Sequence, residues 1–223
     1  MPRLRSYLHF GYRAGFATIL VSCAPATYNS PMVLEEGTSS IGMAVGIPLT
    51  ANDTVTAVVP ADLAVLLRRG LTPRMDVGAK GFLFGFSGFG GASLLVDTKY
   101  AIDQNGPTLI SVDLGGMIAL IYNEGGPVET RILSLHPLIL AGSERYYVGL
   151  GLDYTSSTTI HGHIDGPEWV SRDKELHPRL VLGVSRGHKW RITGEVNLLA
   201  FDAGPSDSAI MIGLSIQRIL RTE

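Results

Sequence analysis

Between Ser39 and Leu220 apolar and polar residues alternate in short runs broken by Gly, Asn, Asp and Pro, and no stretch keeps a helical period. Alternation with period two puts successive side chains on opposite faces of a β-strand. The run from Arg145 to Tyr154 shows it most cleanly. Tyr146, Val148, Leu150, Leu152 and Tyr154 share one face, and Arg145, Tyr147, Gly149, Gly151 and Asp153 share the other. Comparable runs lie at 41–49, 54–69, 75–84, 92–102, 110–122, 128–140, 176–184, 190–198 and 210–216. This predicts about ten strands, between roughly eight and twelve. Pro60 should interrupt the second strand, because proline cannot donate to a sheet ladder. Gln104-Asn105-Gly106 reads as a tight hairpin.

The two faces differ in a way that fixes which one meets water. The apolar faces are nearly pure aliphatic, with Tyr100, Tyr122, Tyr146, Tyr154 and Trp190 near their ends. The opposite faces mix charges with Gly115, Gly149, Gly151, Gly183, Ser185, Gly213 and Ser215. Small residues suit a narrow lumen where side chains converge, and an aliphatic band flanked by aromatic rings suits a bilayer. The predicted fold is therefore an all-β, closed, antiparallel up-and-down transmembrane barrel. Connection lengths agree with this. Alternate turns are short, whereas the others include 86–91, 123–127, 201–207 and a long polar stretch, Ser156 to Glu175, read as an external loop that could hold an extracellular ligand.

Composition narrows the choice. Only 17% of the 223 residues are charged, against about 25% in soluble domains. No run approaches the ~18 apolar residues of a spanning helix. A net charge of -2 argues against nucleic acid as a partner.

The N-terminus reads as an address. Arg3, Arg5 and Arg13 precede the short apolar segment Ala14 to Val21, and Leu20-Val21-Ser22 leads into Cys23, the sole cysteine. This run resembles the bacterial lipobox, which implies cleavage before Cys23 and its acylation. The expected organisation is a lipoprotein signal peptide at 1–22, a lipidated tether at 23–38 and a barrel at 39–220. With an even strand count both barrel ends fall on the short-turn side, which the resemblance to lipidated bacterial outer-membrane β-barrels makes periplasmic, with outer-membrane lipid as the partner. Such barrels often end on an aromatic residue, whereas this sequence ends Ile219-Leu220-Arg221-Thr222-Glu223.

Candidate chemistry falls in three places. Asp76, Lys80, Asp97, Lys99, Asp113, Arg145, Asp153, Arg179, Arg191 and Glu195 should face the lumen and neutralise one another, since an unpaired buried charge is costly. The alternative for this set is a narrow conduit for small solutes. His161 and His163, near Asp165 and Glu168, form a weak candidate metal pair. Ser134 and His136 share a strand face and resemble part of the Ser–His–acid set of outer-membrane lipid A deacylase barrels, which would imply a membrane-lipid acyl hydrolase. The sequence places no acid to orient His136. A soluble lipocalin-type barrel on a lipid tether is a further alternative, but its Gly-x-Trp is absent. The expected role is structural or surface-binding, without a cofactor.

Overall fold

A computed structural model describes residues 28–52, 55–58, 62–86, 89–123, 128–163, 166–200 and 208–221. The strands are β1 (Ser39–Asn52), β2 (Val55–Val58), β3 (Asp62–Thr72), β4 (Met75–Phe86), β5 (Phe89–Asp103), β6 (Leu109–Asn123), β7 (Val128–Gly142), β8 (Tyr146–His163), β9 (Gly166–Arg186), β10 (Trp190–Ala200) and β11 (Ser208–Leu220). Each pairs antiparallel with its neighbour, and β11 returns to pair with β1 from Ser39↔Leu220 to Thr50↔Ala209. Such closure removes the two edges of the barrel wall, and β9 between Gly166 and Pro178 extends past it paired with β8 alone. β2 and β3 lie along the same side of β1, with Leu49↔Val58 and Gly46↔Asp62, and together form one stave. The barrel therefore has ten staves. Pro60 lies outside the described residues.

The alternation resolves as predicted. Leu150, Leu182 and Ile212 are 64%, 47% and 45% exposed on the outer wall, while Asp97 and Glu195 are each 2% exposed inside. The outer wall is an aliphatic belt. On β8 it runs from Tyr146 to Tyr154, roughly 26 Å along the strand, or about 20 Å of height at a 40° tilt. Trp190 and Tyr100 lie exposed toward the short-turn end, and Arg218 stacks over the Trp190 ring at 5.8 Å.

The long stretch Ser156 to Glu175 is not a loop. It continues β8 and β9, which stay paired from Thr155↔Glu175 to His161↔Trp169, with one further pair at His163↔Gly166. β7 follows β8 as far as Val128↔His161. Thr is a good pleated-sheet residue, so this segment extends the sheet above the belt with described side chains that are polar on both faces except at the outward pair Ile160 and Val170. A lost apolar alternation marks the exit from lipid, not the end of the strand.

Of the stretch read as a tether, residues 28–38 are described, and they are held against the barrel. From Thr38 backward the chain crosses the end of β3 and climbs into the lumen. Thr38 O accepts from Gly70 N at 2.9 Å, and Gly37 N donates to Gly70 O at 3.1 Å. A side chain on Gly70 would place its Cβ 2.1 Å from the carbonyl oxygen of Glu35, so only glycine lets the segment cross here. Tyr28, Asn29, Ser30, Val33 and Leu34 are buried within the barrel. The segment lacks periodicity because its anchors are mainly backbone groups.

Candidate functional site in the barrel lumen

From the short-turn end upward, the inward side chains of β4 run Asp76, Gly78, Lys80, Phe82. β5 and β6 repeat that order, giving a charged layer beneath an apolar one, whereas on β7 and β9 the inward Leu140, Leu138 and Val181 lie beneath His136 and Arg179. The apolar layer joins Tyr28, Leu66, Phe82, Leu95, Met117, Ile132 and Met211. A smaller cluster, Leu138, Leu140, Tyr147 and Val181, fills the wall opposite.

In the charged layer Arg68 bonds both Asp76 and Asp97. Gly78 lies between Arg68 and Asp97 in the same cross-strand row, and a Cβ there would meet both side chains below 3 Å. The glycine thus leaves the gap through which the guanidinium reaches across β4. Lys80 Nζ lies 2.8 Å from Asp97 Oδ2, and Lys99 Nζ lies 3.6 Å from Asp76 Oδ2. Across the lumen, Arg179 donates to Asn197 Oδ1 at 2.9 and 3.1 Å and approaches Asp153 at 3.4 Å. His136 Nδ1 lies 2.8 Å from Asp153 Oδ1, and Tyr147 donates its hydroxyl proton to Glu195 Oε1 at 2.6 Å.

The N-terminal segment binds this layer. Tyr28 has φ 48°, uncommon for a residue other than glycine. The successive amides of Tyr28 and Asn29 donate to the two oxygens of Glu195, at 2.8 and 3.0 Å. The Asn29 amide group donates to Asp113, Lys99 Nζ donates to Ser30 O at 3.0 Å, and Leu34 N donates to Asp76 Oδ2 at 2.8 Å. Gln217 Nε2 donates to Tyr28 O at 3.3 Å. A cavity lined by Lys80, Asp97, Asp113, His136 and Arg179 is about 10 Å³, room for one water molecule.

Asp76, Lys80, Asp97, Lys99, Asp113, Asp153, Arg179 and Glu195 are thus buried inside. Arg191 shares their face at the short-turn rim and is half-buried. Arg145 does not join them. It is exposed in the turn before β8, where Ser143 accepts from the amides of Arg145 and Tyr146, so alternation begins only at Tyr146. His161 and His163 sit on β8 by backbone, their side chains outside the described residues, and Cys23 also lies outside them. Ser134 and His136 point inward and are 1% and 6% exposed, out of reach of lipid tails. Asp153 supplies the acid for His136 that the sequence did not reveal. Arg68, Asn29, Tyr147 and Asn197 were missed as well; only Arg68, at the end of an apolar run, carried a visible charge.

This is a closed antiparallel barrel of ten staves, greasy outside and ion-paired within. No family model matches the sequence, and no curated protein matches it. Solved structures similar to it include bacterial outer-membrane barrels. An outer membrane channel from Pseudomonas putida F1 shares 11% identity, covering 88% of this chain and 99% of that one, with a TM-score of 0.49. The outer membrane protease OmpT from Escherichia coli shares 9%, covering 85% and 98%, at 0.46. The N-terminal β-barrel domain of OprF from Pseudomonas aeruginosa shares 10%, covering 84% and 100%, at 0.39.

Proposed function

We propose that the protein is a bacterial outer-membrane lipoprotein whose barrel is closed to solutes by its own N-terminal segment and by the ion pairs around it. Its role is structural or surface-binding. The short-turn end, which holds Ser39 and Leu220, faces the periplasm, and the β8–β9 hairpin is presented outside, where it can hold an extracellular ligand. Cys23 is the acylation site. The observation that carries this reading is the seating of Tyr28 to Leu34 in the lumen on Glu195, Asp113, Lys99 and Asp76. A hydrogen bond to a charged group contributes about 1.5–3 kcal/mol, so several together hold the segment in place. The aliphatic belt supports the membrane location. The buried, inward Ser134 and His136 offer nothing to a lipid hydrolase.

Planar-bilayer recording of the purified protein tests closure. The intact chain should show no steady conductance, and a chain lacking residues 28–34 should conduct. Stable pores from the intact chain would refute it. Urea extraction of the Cys23→Ser variant tests embedding: the barrel should stay in the membrane, whereas a tethered soluble barrel would wash off.

A further inference from the structure

On the outer wall at the hairpin end, the described side chains of the other strands are uncharged, and β7–β9 differ. The row Leu135–Tyr154–Leu176 closes the aliphatic belt there. The next outward-facing row is Leu133–Ser156–Lys174, and the one after it is Arg131–Thr158–Arg172. Rows two residues apart are about 6.6 Å apart and adjacent strands about 4.8 Å, so three cations and two hydroxyls share one patch at the rim of the belt. β9 reads Arg172-Asp173-Lys174-Glu175, and strand parity sorts that alternation. The cations point to the outer wall and the carboxylates to the inner face with His177, whose Nε2 lies 3.0 Å from Glu175. Glu129 lies one row further out and holds Arg131 Nε at 2.7 Å, leaving the other guanidinium nitrogens to donate.

We infer that Arg131, Arg172 and Lys174, with the hydroxyls of Ser156 and Thr158, form a docking surface for the phosphate groups of lipid headgroups in the leaflet around the hairpin end. This rests on the outer-membrane reading, in which that leaflet is the outer one and its lipid a phosphorylated glycolipid. The patch continues directly from the belt, so a lipid whose acyl chains lie on Leu135, Tyr154 and Leu176 brings its headgroup to these cations. Guanidinium groups match phosphate geometry through paired N–H donors.

The test is native mass spectrometry of the full chain in detergent, titrated with a bis-phosphorylated diglucosamine lipid and with its dephosphorylated form. Each cation near an anionic surface contributes enough that the triple variant Arg131→Gln/Arg172→Gln/Lys174→Gln should bind the phosphorylated lipid roughly a hundredfold more weakly. The exposed short-turn variant Arg69→Gln/Arg186→Gln/Arg218→Gln should bind it unchanged, and inorganic phosphate should not compete. Equal binding by the hairpin-end variant, equal retention of the dephosphorylated lipid, or full competition by inorganic phosphate would overturn the docking surface. Urea extraction of the same variants separates the two claims: a barrel that stays embedded while its lipid binding ignores the substitutions sinks the patch alone, whereas a barrel that washes off sinks the membrane reading beneath it.

Discussion

Asp97 shows how tightly single side chains are committed inside this barrel. It accepts from Arg68 and Lys80 at once and is itself buried. Removing one partner of a buried pair strands the other, at about 3–5 kcal/mol, whereas an apolar replacement of both is often near neutral. Asp97→Ala should therefore lower the urea-unfolding free energy by roughly 3–5 kcal/mol. Asp97→Leu combined with Lys80→Met should recover part of that loss, because Arg68 keeps Asp76 as its partner. If Asp97→Ala unfolds like the parent chain, the network does not bear on stability. The inward position of Asp97 was legible because Leu94, Val96 and Thr98 alternate around it. Its partners were not. Arg68 is 29 residues away and sits in a run apolar on both faces, where parity carries no information. His136 and Asp153 meet only because β7 and β8 pair in one register.

At the scale of elements, the strand order and the turns followed from alternation, and the errors fall where alternation stops. The upper parts of β8 and β9 face water on both sides, so no apolar face survives to mark them as strand. The Tyr28 to Leu34 segment docks largely through main-chain groups, which leave no mark in a side-chain pattern. The belt itself can be tested on one strand. Leu150 lies mid-belt and Thr158 above it, both on the outer wall of β8. An arginine on the lipid face costs about 2–4 kcal/mol at the bilayer midplane and about 0–1 near the interface. Leu150→Arg should lower stability in lipid vesicles by that larger amount, and Thr158→Arg should leave it nearly unchanged. Equal costs at the two positions would mean the belt is not where lipid lies.

For the whole molecule, closure joins the first strand to the last, so the most distant parts of the chain meet in one ladder. Non-local pairing of this kind must overcome loop-closure entropy before it is rewarded, and it forms late. The plug is bound by the same late-arriving strands. Glu195 on β10 holds the amides of Tyr28 and Asn29, and Gln217 on β11 holds Tyr28 O. Seating of the segment and closing of the barrel are thus one event. A chain ending before Ser208 keeps Glu195 but loses the whole β1–β11 ladder, and both β1 and β10 become open edges. That truncated chain should not form a smaller barrel. It should lose the protease resistance and heat-modifiable gel mobility of the closed form together, rather than in two steps. A truncated product that still protected residues 28–38 from protease would show that the segment docks on an open sheet, and would separate plugging from closure.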